Sequence, residues 1–347
     1  MADNSGIGWG VRVLALGTAL GALAACTSGQ DPRSSEMQCV DHDFTVDVPA
    51  VGADPQRVTA QICQAGEWES NTPVQVLLHG GAYDHRYWDL PFHPDTYSYV
   101  RQAVRAGYVT VNIDRLGYGR SSRPDGKVLD FDAGADAVHK VVGQIRAGAV
   151  GPGARTVVLN GHSMGGIVAV RAAALGDVDA VIVSGIPPEP DAGQPDDDGP
   201  DDDRSRYQFV SAAKDPRFAD NPWSAGYLTT GPGTRMEAFH YPGTYDPAIP
   251  AVEEQIADTL AIGELRSVRP DPGATDAPAP AESEVPTAYV LGRHDTIACP
   301  AGDCTIDPRA ATADRIIESS GHSINASSGA ADFYRWTFDW LRGRGIG

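Results

Sequence analysis

The decisive stretch of this sequence reads Thr156-Val157-Val158-Leu159-Asn160-Gly161-His162-Ser163-Met164-Gly165. It begins with an apolar run typical of a buried strand, and the apolar segment Ile167–Leu175 that follows it predicts a helix. A G-x-S-x-G pattern between a strand and a helix predicts a turn so tight that its glycines are required on steric grounds. The Ser163 hydroxyl would then lie at the head of the helix, where unpaired backbone N–H groups and the helix dipole favour negative charge.

Short strands and helices alternate on both sides of this turn. The predicted strands are Phe44–Val48, Arg57–Gln64, Val74–Leu78, Tyr108–Ile113, Thr156–Asn160, Val178–Val183, Pro286–Leu291 and Arg315–Ile317. The predicted helices of the same part of the chain are Tyr97–Ala106, Asp130–Arg146, Ile167–Leu175 and Phe333–Leu341. This alternation predicts an α/β fold with a doubly wound, mostly parallel sheet.

The alternation is interrupted once. From Ile186 to Val285 no buried strand is evident; acidic residues crowd the start of this region and prolines its end, as in loops. A helical pattern spans Val252–Leu265 between them. We therefore expect a core of residues 39–186 and 286–347, interrupted by a helical cap of residues 187–285.

This cap is expected to lie above the carboxyl ends of the strands, because both of its joints fall at that edge of the sheet. Its acidic run Glu189–Asp203 is interpreted as a solvated loop. Most large apolar side chains of the cap should pack within it, and some should decide substrate choice. These side chains are Phe209, Phe218, Trp223, Tyr227, Met236, Phe239 and Tyr241.

A serine hydroxyl is a poor nucleophile unless a base takes its proton, and the base needs an acceptor that fixes its tautomer. His322 follows the last predicted strand in a glycine-bearing loop, and Asp295 lies just past the penultimate strand. Parallel strands bring both loops to the edge of the sheet where Ser163 lies. We predict Ser163, His322 and Asp295 as a catalytic triad, with Glu189, past the preceding strand, as the alternative acid.

Acyl transfer passes through an oxyanion that needs fixed N–H donors. The backbone N–H of Met164, directly after the predicted nucleophile, is one candidate donor. The turn His79-Gly80-Gly81 follows the third predicted strand and should supply the other from Gly81.

The remaining histidines and cysteines predict no metal site, because no CxxC pair or Cys/His spacing suggests zinc. His79 and His162 lie in strand-end motifs and are expected to shape turns. A triad of this kind requires no cofactor. Four histidines have no matched partner and are expected to be surface or packing residues: His85, His93, His139 and His240.

The N-terminus resembles an export signal. Arg12 precedes an apolar run, Val13–Ala25, that is shorter than the roughly 20 residues of a membrane-spanning helix. The run ends in Leu23-Ala24-Ala25-Cys26, which resembles the lipobox of bacterial lipoproteins, whose cysteine is acylated. We expect a signal peptide of residues 1–25 and a tether of residues 26–38.

A lipid on Cys26 would place the protein on the outer face of a bacterial membrane. The alternative is an ordinary cleaved signal with a chance cysteine.

Five cysteines are present, and four remain if Cys26 carries lipid. Four allow three pairings, and disulfides persist where exported proteins reside. Cys39 and Cys63 lie on neighbouring predicted strands, whereas Cys299 and Cys304 share a short loop. We favour the pairs Cys39–Cys63 and Cys299–Cys304 over free buried thiols.

The formal charge of −19 disfavours nucleic acid as a partner, since phosphates would be repelled. The expected partners are instead a small-molecule acyl substrate and, through Cys26, a membrane.

From Cys39 to Leu341, except for the cap, the chain resembles the α/β-hydrolase superfamily, whose order of nucleophile, acid and base matches Ser163, Asp295 and His322. The stretches His79–Asp89 and Asp114–Ser121 resemble secreted bacterial esterase-like members.

The resemblance implies hydrolysis of a carboxylic ester through an acyl-enzyme. Amide, thioester or lactone hydrolysis and acyl transfer remain alternatives, because these motifs specify substrate poorly. A non-catalytic surface binding module is a third hypothesis. Serine at the turn argues against the superfamily's haloalkane dehalogenases and epoxide hydrolases, which use aspartate there.

Overall fold

The structure is a computed structural model that describes residues 36–188, 209–268, 284–306 and 313–347. These residues contain eleven strands. They are β1 Met37–Val46, β2 Gln56–Ala65, β3 Val74–Leu78, β4 Val109–Ile113, β5 Val157–His162, β6 Ala180–Ser184, β7 Phe209–Ser211, β8 Tyr227–Thr230, β9 Thr259–Ala261, β10 Thr287–Gly292 and β11 Arg315–Ile317. Eight of them form the central sheet in the order β1-β2-β4-β3-β5-β6-β10-β11. The six strands from β4 to β11 in that order run parallel to one another. β2 is antiparallel to both of its neighbours, β1 and β4.

Helices cover both faces of this sheet. The helices of the described residues are α1 Pro94–Tyr97, α2 Tyr99–Arg105, α3 Phe131–Arg146, α4 Met164–Ala174, α5 Arg235–Phe239, α6 Ile249–Gln255, α7 Ile262–Val268 and α8 Ala330–Arg342. Three of them, α5, α6 and α7, belong to the region between β6 and β10. Side chains of β3 show the layering, because Val76 packs in the cluster that contains α3 and α4, whereas Leu77 packs with α2 and α8. A strand buried on both faces is a continuous apolar run, so the doubly wound, mostly parallel sheet is confirmed.

The region between β6 and β10 differs from the expected helical cap. Residues 209–268 of this region are called the insert below. The insert contains short helices and a three-stranded antiparallel sheet, β7-β8-β9. The expected helix Val252–Leu265 is in fact the end of α6, the buried strand β9 and the start of α7. Strands of three or four residues are too short to show a clear alternation of apolar and polar side chains, so the sequence pattern missed them.

Buried ion pairs attach the insert to the loops that follow β4. Arg115 pairs with Glu264 of α7, and both side chains are almost inaccessible to solvent. Arg123 Nη2 lies 2.8 Å from Asp258 Oδ1, and its guanidinium stacks on the Trp223 ring at 4.1 Å. Removing one partner of such a pair leaves an uncompensated buried charge, so these contacts hold the insert firmly on the core.

Both expected disulfides are present. Cys39 and Cys63 stand directly opposite each other on β1 and β2, and Cys299 and Cys304 close a short loop after β10. The expected signal peptide, Cys26 and the acidic run Glu189–Asp203 lie outside the described residues. Within the described ranges, none of the helices combines the length and the apolar character needed to cross a bilayer.

Removing Cys39–Cys63 should destabilise the protein more than removing Cys299–Cys304. The two bridges span 24 and 5 residues, and a longer closed loop restricts the unfolded chain more. Loop-closure entropy predicts losses of about 3.5 and about 2 kcal/mol in the free energy of unfolding. Urea denaturation of the two double Cys→Ala variants measures both values, and a larger loss from the short loop would contradict the prediction.

Candidate active site

The turn at Ser163 joins β5 to α4 in a strained backbone geometry. Ser163 has a φ of 53° and a ψ of −124°, a region that residues with side chains rarely adopt. A Cβ added to Gly161 would collide with the Gly165 carbonyl. A Cβ added to Gly165 would collide with the carbonyl oxygens of Leu78 and His79 at the end of β3. The steric need for glycine at both positions is therefore confirmed.

The structure brings Ser163, His322 and Asp295 within hydrogen-bonding distance of one another in a chain. His322 Nε2 lies 2.9 Å from Ser163 Oγ, and its Nδ1 lies 3.0 and 2.9 Å from the two Asp295 carboxylate oxygens. An ionised carboxylate only accepts hydrogen bonds, so Nδ1 carries the ring proton and Nε2 accepts from the serine hydroxyl. In this tautomer the imidazole can take the serine proton.

The loop after β10 fixes the carboxylate of Asp295. This side chain is fully buried, and its Oδ1 accepts from the backbone N–H groups of the second and third residues after it, at 3.0 and 2.9 Å. The Cys299 N–H donates to the Asp295 carbonyl at 2.9 Å, so the Cys299–Cys304 bridge belongs to the same loop. Glu189, the alternative acid, lies outside the described residues.

The His79–Ala82 loop after β3 lies against the turn at Ser163. A Cβ built on Gly80 would be 3.2 Å from the Ser163 Cβ, and one built on Gly81 would collide with Met164 Sδ. Within the described residues, the backbone N–H groups of Gly81 and Met164 donate to no acceptor. Both groups are therefore free to donate to an oxyanion formed beside Ser163 Oγ.

Two histidines beside the triad are buried in neutral form. His79 Nε2 accepts from the Arg115 N–H at 3.1 Å, so its Nδ1 donates to the Gly80 carbonyl at 2.8 Å. Burial, and next the Arg115 guanidinium, lowers the pKa of His79 to about 3. Burial also lowers the pKa of His162, whose ring stacks on Tyr87 at 4.4 Å. The expected role of both histidines in shaping these turns fits their contacts.

Two other histidines have partners that the sequence did not reveal. His85 Nδ1 lies 2.7 Å from Asp114 Oδ1, and His240 Nε2 lies 3.0 Å from Glu253 Oε1. The expectation that they lack partners is wrong because the carboxylates are 29 and 13 residues away along the chain and meet them only in the fold.

Few of the insert's large apolar side chains approach the triad. The Phe239 ring lies 6.0 Å from that of His322. Phe209 belongs to a cluster of apolar side chains beside the loop His79–Ala82, which is called the oxyanion loop below. This cluster, called the apolar group below, is formed by Ala82, Tyr118, Met164, Phe209, Leu228, Leu260 and Leu265. The other five pack on other clusters or rings: Phe218, Trp223, Tyr227, Met236 and Tyr241.

One group of potential metal ligands is present in the described residues. Ligand atoms of Asp84, His85 and Asp114 lie within 4.8 Å of one another. Arg86 already occupies both carboxylate oxygens of Asp84, and Asp114 accepts from His85 and from the Arg120 N–H. Because protein cations and N–H groups satisfy these carboxylates, we assign no metal to them.

Comparison with known proteins agrees with this fold. The model of the alpha/beta hydrolase family matches residues 75–336. Epoxide hydrolase A from Mycobacterium thermoresistibile has a TM-score of 0.52 at 20% identity, covering 88% of this chain and 99% of that one. A methylesterase from Arabidopsis has a TM-score of 0.50 at 14% identity, covering 78% of this chain and 99% of that one. The peroxisomal alpha-beta-hydrolase Lpx1 from Saccharomyces cerevisiae has a TM-score of 0.52 at 12% identity, covering 89% of this chain and 90% of that one. No curated protein matches this chain in sequence.

The chain belongs to the alpha/beta hydrolase family, because the family model matches most of its length. It is therefore a hydrolase. The solved structures share its fold at identities too low to transfer a substrate, and the likeness to an epoxide hydrolase is a likeness of fold alone.

Acid should destabilise the protein through His79 and His162. Both are neutral in the folded state, whereas an unfolded histidine binds a proton near pH 6.5. The unfolded state then binds more protons, so the free energy of unfolding should be greatest above about pH 6.5 and fall towards pH 4.5. Each histidine contributes at most about 1.4 kcal/mol per pH unit.

Urea denaturation of wild type and His79→Gln between pH 6.5 and about 4.5 tests this. The variant should lose the contribution of His79 to the slope, which is at most about 1.4 kcal/mol per pH unit, whereas His162 still contributes. An unchanged slope would contradict a neutral, buried His79.

Proposed function

We propose that this chain hydrolyses carboxylic esters through an acyl-enzyme on Ser163. The observation that carries the proposal is the continuous hydrogen-bonded chain Ser163–His322–Asp295 beside two unpaired backbone amides. Nucleophile, base, acid and oxyanion donors are the parts that acyl transfer to a serine requires.

Acylation uses each of these parts once. His322 Nε2 accepts the proton of Ser163 as Oγ bonds to the ester carbonyl carbon, and Asp295 stabilises the resulting imidazolium. The carbonyl oxygen becomes an oxyanion that accepts from the N–H groups of Gly81 and Met164. When the carbon–oxygen bond to the alcohol breaks, His322 returns the proton to the leaving oxygen.

Deacylation repeats these steps with water. His322 takes a proton from water as the water oxygen attacks the acyl carbon. The oxyanion forms again, and the bond to Ser163 Oγ breaks. His322 returns the proton to Ser163, and a carboxylic acid leaves. No cofactor or metal takes part in this sequence.

An ester of apolar groups suits the surroundings of Ser163. Alcohols leave more readily than amines, so the triad and the two amides suffice for an ester. Met164 and three partly buried members of the apolar group, Phe209, Leu228 and Leu265, offer a non-polar surface next to the oxyanion loop. Such a surface, with few polar groups, is typical of small-molecule sites.

Ser163→Ala should abolish ester hydrolysis and leave the fold intact. The triad acts as a unit, so Ser163→Ala and His322→Ala should each reduce the rate by on the order of 10⁴-fold or more. Ser328→Ala, at an exposed serine of the same chain, is the matched control and should keep wild-type activity. The assay uses p-nitrophenyl esters of increasing acyl length, with anilide and thioester analogues alongside.

Esters should give the highest kcat/KM of the three classes, and acyl length should change it gradually, because one methylene is worth about 1–3 kcal/mol. A fluorophosphonate probe should label Ser163 alone. If Ser163→Ala kept a tenth of wild-type activity, the mechanism would be wrong. A higher kcat/KM for anilides would reassign the substrate, and an unlabelled wild type would favour a binding module.

We further propose that the enzyme is exported and held on the outer face of a bacterial membrane by lipid on Cys26. Two disulfides support an oxidising compartment, since they are rare in the cytosol. The sequence Leu23-Ala24-Ala25-Cys26 supports acylation of the cysteine.

Cys26→Ser should move the protein from the membrane fraction to the soluble fraction. Stable anchoring needs more than one acyl chain, so mass spectrometry of the mature N-terminus should find several on Cys26. Cys39→Ser, at a disulfide cysteine, is the control and should stay with the membrane. An unmodified first residue other than Cys26 would overturn the proposal.

A further inference from the structure

A buried carboxylate of the insert has partners in two catalytic loops. Glu253 lies on α6 and is only 1% exposed. Arg235 of α5, which is fully buried, places Nε and Nη2 at 3.0 and 2.9 Å from Glu253 Oε2. His240 Nε2 lies 3.0 Å from Oε1. Burial alone would raise the pKa of Glu253, but Arg235 and then His240 outweigh it and hold the pKa at about 2, so the carboxylate is charged at neutral pH.

The first arm of this cluster reaches the oxyanion loop. Arg235 Nη1 donates to the Ala82 carbonyl at 2.9 Å. The insert backbone holds the same residue, because the Ala82 N–H donates to the Thr259 carbonyl at 3.2 Å and the Asp258 N–H donates to the Ala82 carbonyl at 3.1 Å. Ala82 has a φ of 59°, a left-handed conformation that costs an alanine roughly 1 kcal/mol or more. Contacts from the insert therefore hold a strained residue next to Gly81.

The second arm reaches the loop of the catalytic base. The Tyr83 hydroxyl donates to Glu253 Oε1 at 3.1 Å, so its oxygen accepts from Ser323 Oγ at 2.6 Å. The Ser323 N–H donates to the Phe239 carbonyl at 2.8 Å. Ser323 directly follows His322, and its hydroxyl and backbone N–H are therefore held by Tyr83 and by the insert.

We propose that Arg235 and Glu253 are positioning residues, which hold the oxyanion loop and the His322 loop in fixed relation to Ser163. The proposal rests on the proposed function, since it concerns how that site is held. A buried ion pair gives little net stability compared with apolar side chains of the same volume. Its fixed geometry holds the two loops in place, and this matters because small displacements of reacting groups lower the reaction rate.

Three variants separate positioning from simple packing. Tyr83→Phe and Ser323→Ala each remove one hydroxyl from the second arm. Arg235→Lys keeps the charge, but an ammonium cannot bind Glu253 and the Ala82 carbonyl with the fixed fork of a guanidinium. Glu254→Gln is the matched control, since Glu254 is the next residue on α6 and is about one-third exposed.

The measurement is the rate at which a fluorophosphonate labels Ser163. This reaction needs the base and the oxyanion donors but no particular substrate. Each of the three variants should slow labelling about tenfold or more and lower kcat by a similar factor with little change in KM. Arg235→Lys should also weaken binding of a trifluoromethyl ketone, whose adduct with Ser163 carries an oxyanion. Glu254→Gln should keep wild-type rates.

Wild-type labelling rates in all three variants would overturn the proposal, even if their melting temperatures fell, because the cluster would then be a packing contact only. If Arg235→Lys fails to fold, Tyr83→Phe and Ser323→Ala decide the question, since each lacks only one oxygen atom. Failure of the proposed function has a different signature, namely a wild-type protein that the probe does not label.

Discussion

The close approach of helix α4 to the end of β3 is the constraint on which the rest of the site depends. Gly161 and Gly165 have no room for a side chain, so the chain turns from strand to helix within one strained residue, Ser163. The backbone N–H of Ser163 donates to the Ser184 carbonyl of β6 at 2.7 Å, which fixes the turn to the neighbouring strand. The hydroxyl therefore stands at one defined point, 2.9 Å from His322 Nε2, and strain of about 1–3 kcal/mol is the cost of that placement.

Buried polar contacts keep the other parts of the site in place, and several of them come from the insert. Ion pairs such as Arg115–Glu264 and Arg123–Asp258 join it to the loop after β4, and β9 pairs with the backbone of Ala82. Lifting an insert attached in this way would expose buried charges and break backbone hydrogen bonds. In the proposed mechanism, its apolar side chains near Met164 shape the acyl site and its charged side chains position the two loops.

Local sequence patterns predicted those strands and loop positions that depend on residues close together in the chain. β3 was predicted with its observed bounds, because a continuous apolar run specifies a strand buried on both faces. Asp295 and His322 were predicted to lie near Ser163 because parallel strands place the loops that follow them at one edge of the sheet, and the structure brings the three side chains together. The strands of the insert were missed because they are short. The role of Glu253 was missed because a glutamate on an amphipathic helix is usually exposed. Its buried partner Tyr83 is 170 residues away, and only the fold brings the two together.

The central claim is that Ser163 carries the acyl group during turnover. Rapid quenching of the enzyme during hydrolysis of a p-nitrophenyl ester, followed by mass spectrometry of its peptides, tests this most directly. The account predicts one acyl group, on the peptide that contains Ser163 and on its hydroxyl, with a burst of p-nitrophenol of one equivalent per active site. An acyl group on another residue, or turnover with no covalent adduct at any quench time, would contradict it.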